Sequence, residues 1–153
     1  MRMKPLCILL IFTSTFVVAE EDCVFDKNAY INFIKSYKDT HKNSKIESDG
    51  KTLIVKNGAE KVTVEGGGCN HLGASIKLKS STKYDENTFF QEVLNLSKEY
   101  AAWLIDIETL KSSIENMNWK KIDSSYYFHL DDITVFEATY DNEGNVIINF
   151  YIS

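Results

Sequence analysis

Residues 86–118, ENTFFQEVLNLSKEYAAWLIDIETLKSSIENMN, contain neither glycine nor proline. Apolar side chains fall at Phe89, Val93, Leu96, Tyr100, Trp103, Ile107, Leu110, Ile114 and Met117, in steps of four and three. Such spacing keeps one stripe of a 3.6-residue helix apolar. Asp85 supplies an N-cap whose carboxylate can accept the first free N–H groups. At 1.5 Å per residue, about 32 residues run about 48 Å, against a radius of gyration of about 14 Å for a chain of this size. The stretch is therefore expected as one long helix that is bent, or split into two segments meeting near Leu104 to Asp106. Phe90, Leu94, Ala101, Leu104 and Ile105 widen its apolar face beyond a coiled-coil seam, so it is expected to pack across a sheet.

The sequence on either side supplies that sheet. Upstream, Lys51 to Lys56 and Ala59 to Glu65 are β-prone runs joined by Asn57-Gly58, a dipeptide suited to the positive φ angles of a tight hairpin. Ala74 to Lys79 alternates again through Ile76 and Leu78. Downstream, Tyr126 to Leu130, Ile133 to Tyr140 and Val146 to Ile152 are rich in aromatic and β-branched residues, with Asp131-Asp132 and Asp141 to Asn145 as turns. Before all of this, Asp26 precedes an amphipathic run with Tyr30, Phe33, Ile34 and Tyr37 on one face. The expected fold is α+β: an N-terminal helix, an antiparallel meander, the long helix packed on the sheet, then a second meander.

The first nineteen residues read differently. Arg2 and Lys4 precede an apolar run from Leu6 to Phe16, with Val17 and Ala19 at the −3 and −1 positions of a small-residue cleavage site. A signal peptide over 1–19 and a single domain over 20–153 are expected, with a periplasmic or secreted destination and no membrane anchor after cleavage. The chain has 17 Lys and Arg against 22 Asp and Glu, a net charge of −5. Losing Arg2 and Lys4 leaves 15 cations against the same 22 acids, or −7, and no arginine. That composition argues against nucleic acid and favours a basic protein partner. Cys23 and Cys69 remain, and in an oxidising compartment they are expected to bond. The closed loop of 46 residues corresponds to about 4 kcal/mol in the loop-entropy model.

Sequence motifs offer little chemistry. There is no nucleophile elbow or zinc-protease motif, and no spacing that calls for a metal or cofactor, so an enzyme is not expected. His129 with Asp131 or Asp132 is the nearest approach to an acid–base pair. The glycine-rich segment Gly66, Gly67, Gly68, Cys69, Asn70, His71 is locally distinctive. A disulfide at Cys69 would staple it as a recognition loop, with Gly66, Gly67, Gly68, Asn70 and His71 meeting the partner. The reading that follows is a protein-binding module, most concretely an inhibitor or immunity protein occluding an envelope-directed hydrolase or toxin. The alternative is a small-ligand carrier with a pocket between long helix and sheet, lined by Trp103 and Trp119. The crowd of aromatics on the last strands adds a further expectation: period-2 geometry sends alternate ones to opposite faces, so one helical layer cannot cover them all.

Overall fold

The computed structural model describes residues 27–67 and 72–152. Cys23, Gly68, Cys69, Asn70, His71, the leader and the Asp26 cap lie outside the described residues. Helix α1 (Lys27–Thr40) leads into strands β1 (Ser44–Ile46), β2 (Thr52–Asn57), β3 (Glu60–Gly66) and β4 (Leu72–Lys79). Helices α2 (Glu86–Tyr100) and α3 (Ile107–Glu115) follow. Strands β5 (Trp119–Ile122), β6 (Ser125–His129), β7 (Thr134–Tyr140) and β8 (Asn145–Ile152) complete the described chain. The strands form one antiparallel sheet of eight, in the order β1-β2-β3-β4-β8-β7-β6-β5. Two meanders thus join along a single seam, β4 against β8, where Ile76 faces Ile148.

The stretch expected as one bent helix or two segments is two short helices, with the gap at residues 101–106. α2 stops at Tyr100, where the C-cap Ala101 leaves helical backbone (φ −129, ψ 3) and the Trp103 indole Nε1–H donates to Tyr100 O at 2.9 Å. Asp106 then starts α3, accepting from Glu108 N at 3.2 Å and from Thr109 Oγ1 at 2.6 Å. An N-cap residue has extended φ/ψ, so an Asp serving as one breaks the helix before it. Asp106 has ψ 112. The other end of the stretch follows the expected cap, with Asp85 and Thr88 forming a reciprocal capping box. Met117, the last residue of the predicted stripe, is 75% exposed and has φ 55. Two strands are additional to the sequence reading, β1 and β5.

All three helices contribute to the core on one face of the sheet. That face carries an in-register aromatic row, Phe128, Phe136 and Phe150 on β6, β7 and β8, with edge-on ring pairs at 5.2 and 5.1 Å. Phe89 and Phe90 of α2 pack on Tyr126. Tyr30 of α1 reaches across the end of β3, donating to Lys51 O at 2.6 Å and lying 3.0 Å from Val64 O. A Cβ at residue 66 would stand 2.3 Å from the Tyr30 ring, which gives Gly66 a packing reason to be glycine. Because α1 and α2 share the core side, the opposite face of the sheet has no described helix on it.

Candidate functional site

The base of the glycine-rich hairpin is described even though its tip is not. Gly67 N donates to Gly73 O at 3.0 Å, closing the end of β3 onto the start of β4. Leu72 is in register with Tyr151 of β8. The described base of this segment therefore lies at the end of the sheet where Tyr151 stands.

The two tryptophans are not brought together. Trp103 stacks on Phe33 at 5.9 Å and meets Tyr30 at 5.4 Å, inside the α1 interface. Trp119 packs instead against Phe90 and Tyr126. It lines a cleft of about 420 Å³ with Glu86, Phe90, Ile114 and Met117, in which Trp103 has no part. The Trp119 Nε1–H is buried with no hydrogen-bond partner among the described residues.

The helix-free face carries a polar rung across the sheet: Thr52, Glu65, Ser75, Asn149, Glu137, Tyr127 and Lys120 in register from β2 to β5. Glu137 is its centre. Its carboxylate accepts from Tyr127 Oη at 2.9 Å, Tyr151 Oη at 3.0 Å and Asn149 Nδ2 at 3.3 Å. Ser75 Oγ in turn donates to Asn149 Oδ1 at 2.8 Å, holding the amide with its NH₂ toward the carboxylate. Burial pushes the Glu137 carboxyl up, but hydrogen bonds from Tyr127, Ser125, Asn149 and Tyr151 outweigh it and leave it below the ordinary value. A half-buried carboxylate is thus kept ionised on a face that no described helix covers. Sequence reasoning placed an aromatic surplus on these strands; which acid the phenols would converge on needs the β6–β7–β8 register.

A second site lies on the helical side. Tyr37, His41, Glu60, Glu92, Glu99 and Tyr100 surround a cavity of about 190 Å³ floored by Val55, Val62, Leu78 and Leu96. Tyr37 Oη donates to Glu99 Oε1 and sits 3.4 Å from Tyr100 Oη. The His41 ring stacks on Tyr37 at 3.9 Å. Burial and then the Glu60 and Glu99 charges raise the Glu92 carboxyl above its ordinary value. The Tyr37 phenol is pushed up to about 12, by burial first and then by its bond to Glu99. The three glutamates come from β3 and α2 and were not singled out in the sequence.

His129 is exposed at the end of β6, opposite Val135. The Asp131 carboxylate is used by its own turn, accepting from Ile133 N, Thr134 N and Thr134 Oγ1. Among the described residues no three His, Cys, Asp or Glu side chains converge as a metal ion requires. No described helix is long and apolar enough to cross a membrane. Comparison of the chain with protein-family models, curated proteins and solved structures gives no match.

Proposed function

We propose that this chain is an exported, non-catalytic protein-binding module that occludes a basic partner, in the manner of an inhibitor or immunity protein. The contact surface is the hairpin 66–73, including Asn70 and His71, together with the strip of sheet beside it. That strip holds Tyr151, Val135, Glu137, Tyr127 and His129. Glu137 carries the proposal. An ionised carboxylate fixed by two phenols and an amide is preorganised to receive a lysine or arginine, with little side-chain entropy left to lose. Flanking tyrosines supply the rigid, amphipathic contact area typical of interface centres. The acidic net charge assists encounter with a cationic partner, and the leader and cysteines argue for the compartment.

The test is affinity capture with the oxidised mature chain against envelope and secreted extracts, followed by titration of the captured protein. Glu137→Gln, which keeps the shape and loses the charge, should weaken binding at least tenfold and flatten its salt dependence. An unchanged affinity in Glu137→Gln, together with unchanged affinity in an Asn70→Ala/His71→Ala variant, would remove the proposal.

A second reading is favoured by the acidic cavity. Three carboxylates and two phenols around an apolar floor suit a small organic ammonium ion, and about 190 Å³ is below the usual range for drug-sized ligands. In this reading Glu92, Glu99 and Glu60 hold the ammonium group, and the carbon chain lies on Leu96 and Val62.

A further inference from the structure

The first meander bears a charge arrangement that neither reading uses. Lys56 of β2 is in register with Lys61 of β3, which is in turn in register with Lys79 of β4. Strand alternation sends all three to the helix-free face, since Val55, Val62 and Leu78 face the core. Each of the three is exposed, and among the described residues none has a carboxylate within ion-pairing distance. Like charges directly across a strand pair repel. The neighbouring residues show the ordinary solution, with Lys77 bonded to Glu65 at 3.0 Å. A groove of about 290 Å³ adjoins the β3 and β4 members of the row, lined by Lys61, Thr63, Lys77, Lys79, Asn145 and Ile147, with Lys56 outside it. Asp141 closes its end, but that carboxylate is turned into the β7–β8 turn, accepting from Glu143 N, Asn145 N and Asn145 Nδ2.

We propose that this rung binds a soluble linear polyanion, a chain of repeating tetrahedral oxyanions laid across β2, β3 and β4. Adjacent strands are about 4.8 Å apart, so the outer lysines of the row stand about 10 Å from one another. A single oxyanion bridges one gap; only a repeating anion engages all three ammonium groups. A linear ligand also explains the narrowness of the positive feature. Glu65 and Glu137 lie on the same face, one or more rungs away, and would repel an anionic bilayer laid flat across it. A thin chain along the end rung avoids both. In a molecule of net charge −5, the attraction is local and therefore strongly screened by salt.

The test is titration of the whole chain with short-chain inorganic polyphosphate, in parallel with orthophosphate, over a range of salt concentrations. Polyphosphate should bind at low salt and orthophosphate at least tenfold more weakly. Lys61→Gln/Lys79→Gln should weaken polyphosphate binding at least tenfold and lower the slope of log affinity against log salt by about two, one for each lost contact. Lys35→Gln/Lys38→Gln, exposed on α1, should leave both unchanged. The rung variant should also unfold at a higher temperature than the parent at low salt without ligand, because its repulsion is gone. Equal weakening in the α1 variant, no polyphosphate binding at low salt, or tighter binding to vesicles of anionic phospholipid than to polyphosphate would each overturn the proposal.

Discussion

Glu92 sits where a carboxylate is least comfortable, half-buried over apolar residues with Glu60 and Glu99 in the same cavity. A carboxyl raised in the folded state stabilises the fold only while protonated. Its contribution is complete below the unfolded-state value and is lost as pH rises through the raised native one. Glu92→Gln should therefore stabilise the fold at pH 7 by about 0.5 kcal/mol once screening of a half-exposed group is allowed for, read as a higher unfolding midpoint. The advantage should vanish in acid. A simple alkylamine should raise the midpoint of the parent but not of the variant; if it raises both equally, the ammonium reading of this cavity falls. At this scale the sequence is only partly legible. Three consecutive glycines mark residues 66–68 as unusual, yet the reason at Gly66 is the Tyr30 ring, contributed by a helix 36 residues earlier. Likewise nothing in the sequence near Glu137 announces that Tyr127, Asn149 and Tyr151 will surround it.

Among the elements, α3 depends most visibly on a single residue. Asp106 accepts two hydrogen bonds at its start and has its carboxyl held below the ordinary range by Thr109 Oγ1–H and the Glu108 N–H. Asp106→Ala should cost about 1 kcal/mol, and the loss should appear as faster amide exchange in α3 with α2 little changed. Uniform acceleration through both helices would mean that residues 86–115 behave as one bent rod. The helical stripe and the place of its break were readable because periodicity and length are local properties. The strands with Asn-Gly or Asp-Asn turns were readable for the same reason. β1 and β5 were not: Ser-Lys-Ile and Trp-Lys-Lys-Ile show no alternation of their own, and only pairing with β2 and β6 makes them strands. Here tertiary context decides, as it often does for short β segments.

For the whole molecule, the decisive feature is the β4–β8 seam. It joins the two meanders through seven register pairs, and Ile76 and Ile148 are fully buried across it. Ile148→Ala should cost about 2–5 kcal/mol, the usual range for emptying such a site. If the seam couples the halves, far-ultraviolet circular dichroism and tryptophan fluorescence should shift together; two separated transitions would show meanders that unfold independently. The α+β class was legible from alternating periodicities, but the sheet order was not. A chain that runs meander, helices, meander could as well form two sheets. What selects one is the fit of β8 between β4 and β7, a pairing between residues more than 60 apart in sequence.

The outermost strands bear on how the molecule meets others. β1 has three residues and β5 has four, with Lys45 on the first and Lys120 and Lys121 on the second. Short, lysine-bearing borders are poor templates for an incoming strand. An eight-stranded sheet with a long, bare margin would invite its copies to add on and grow into fibres. This one resists such growth from both sides, so its associations should be made through broad surfaces and loops, at defined stoichiometry, and should remain soluble at high concentration.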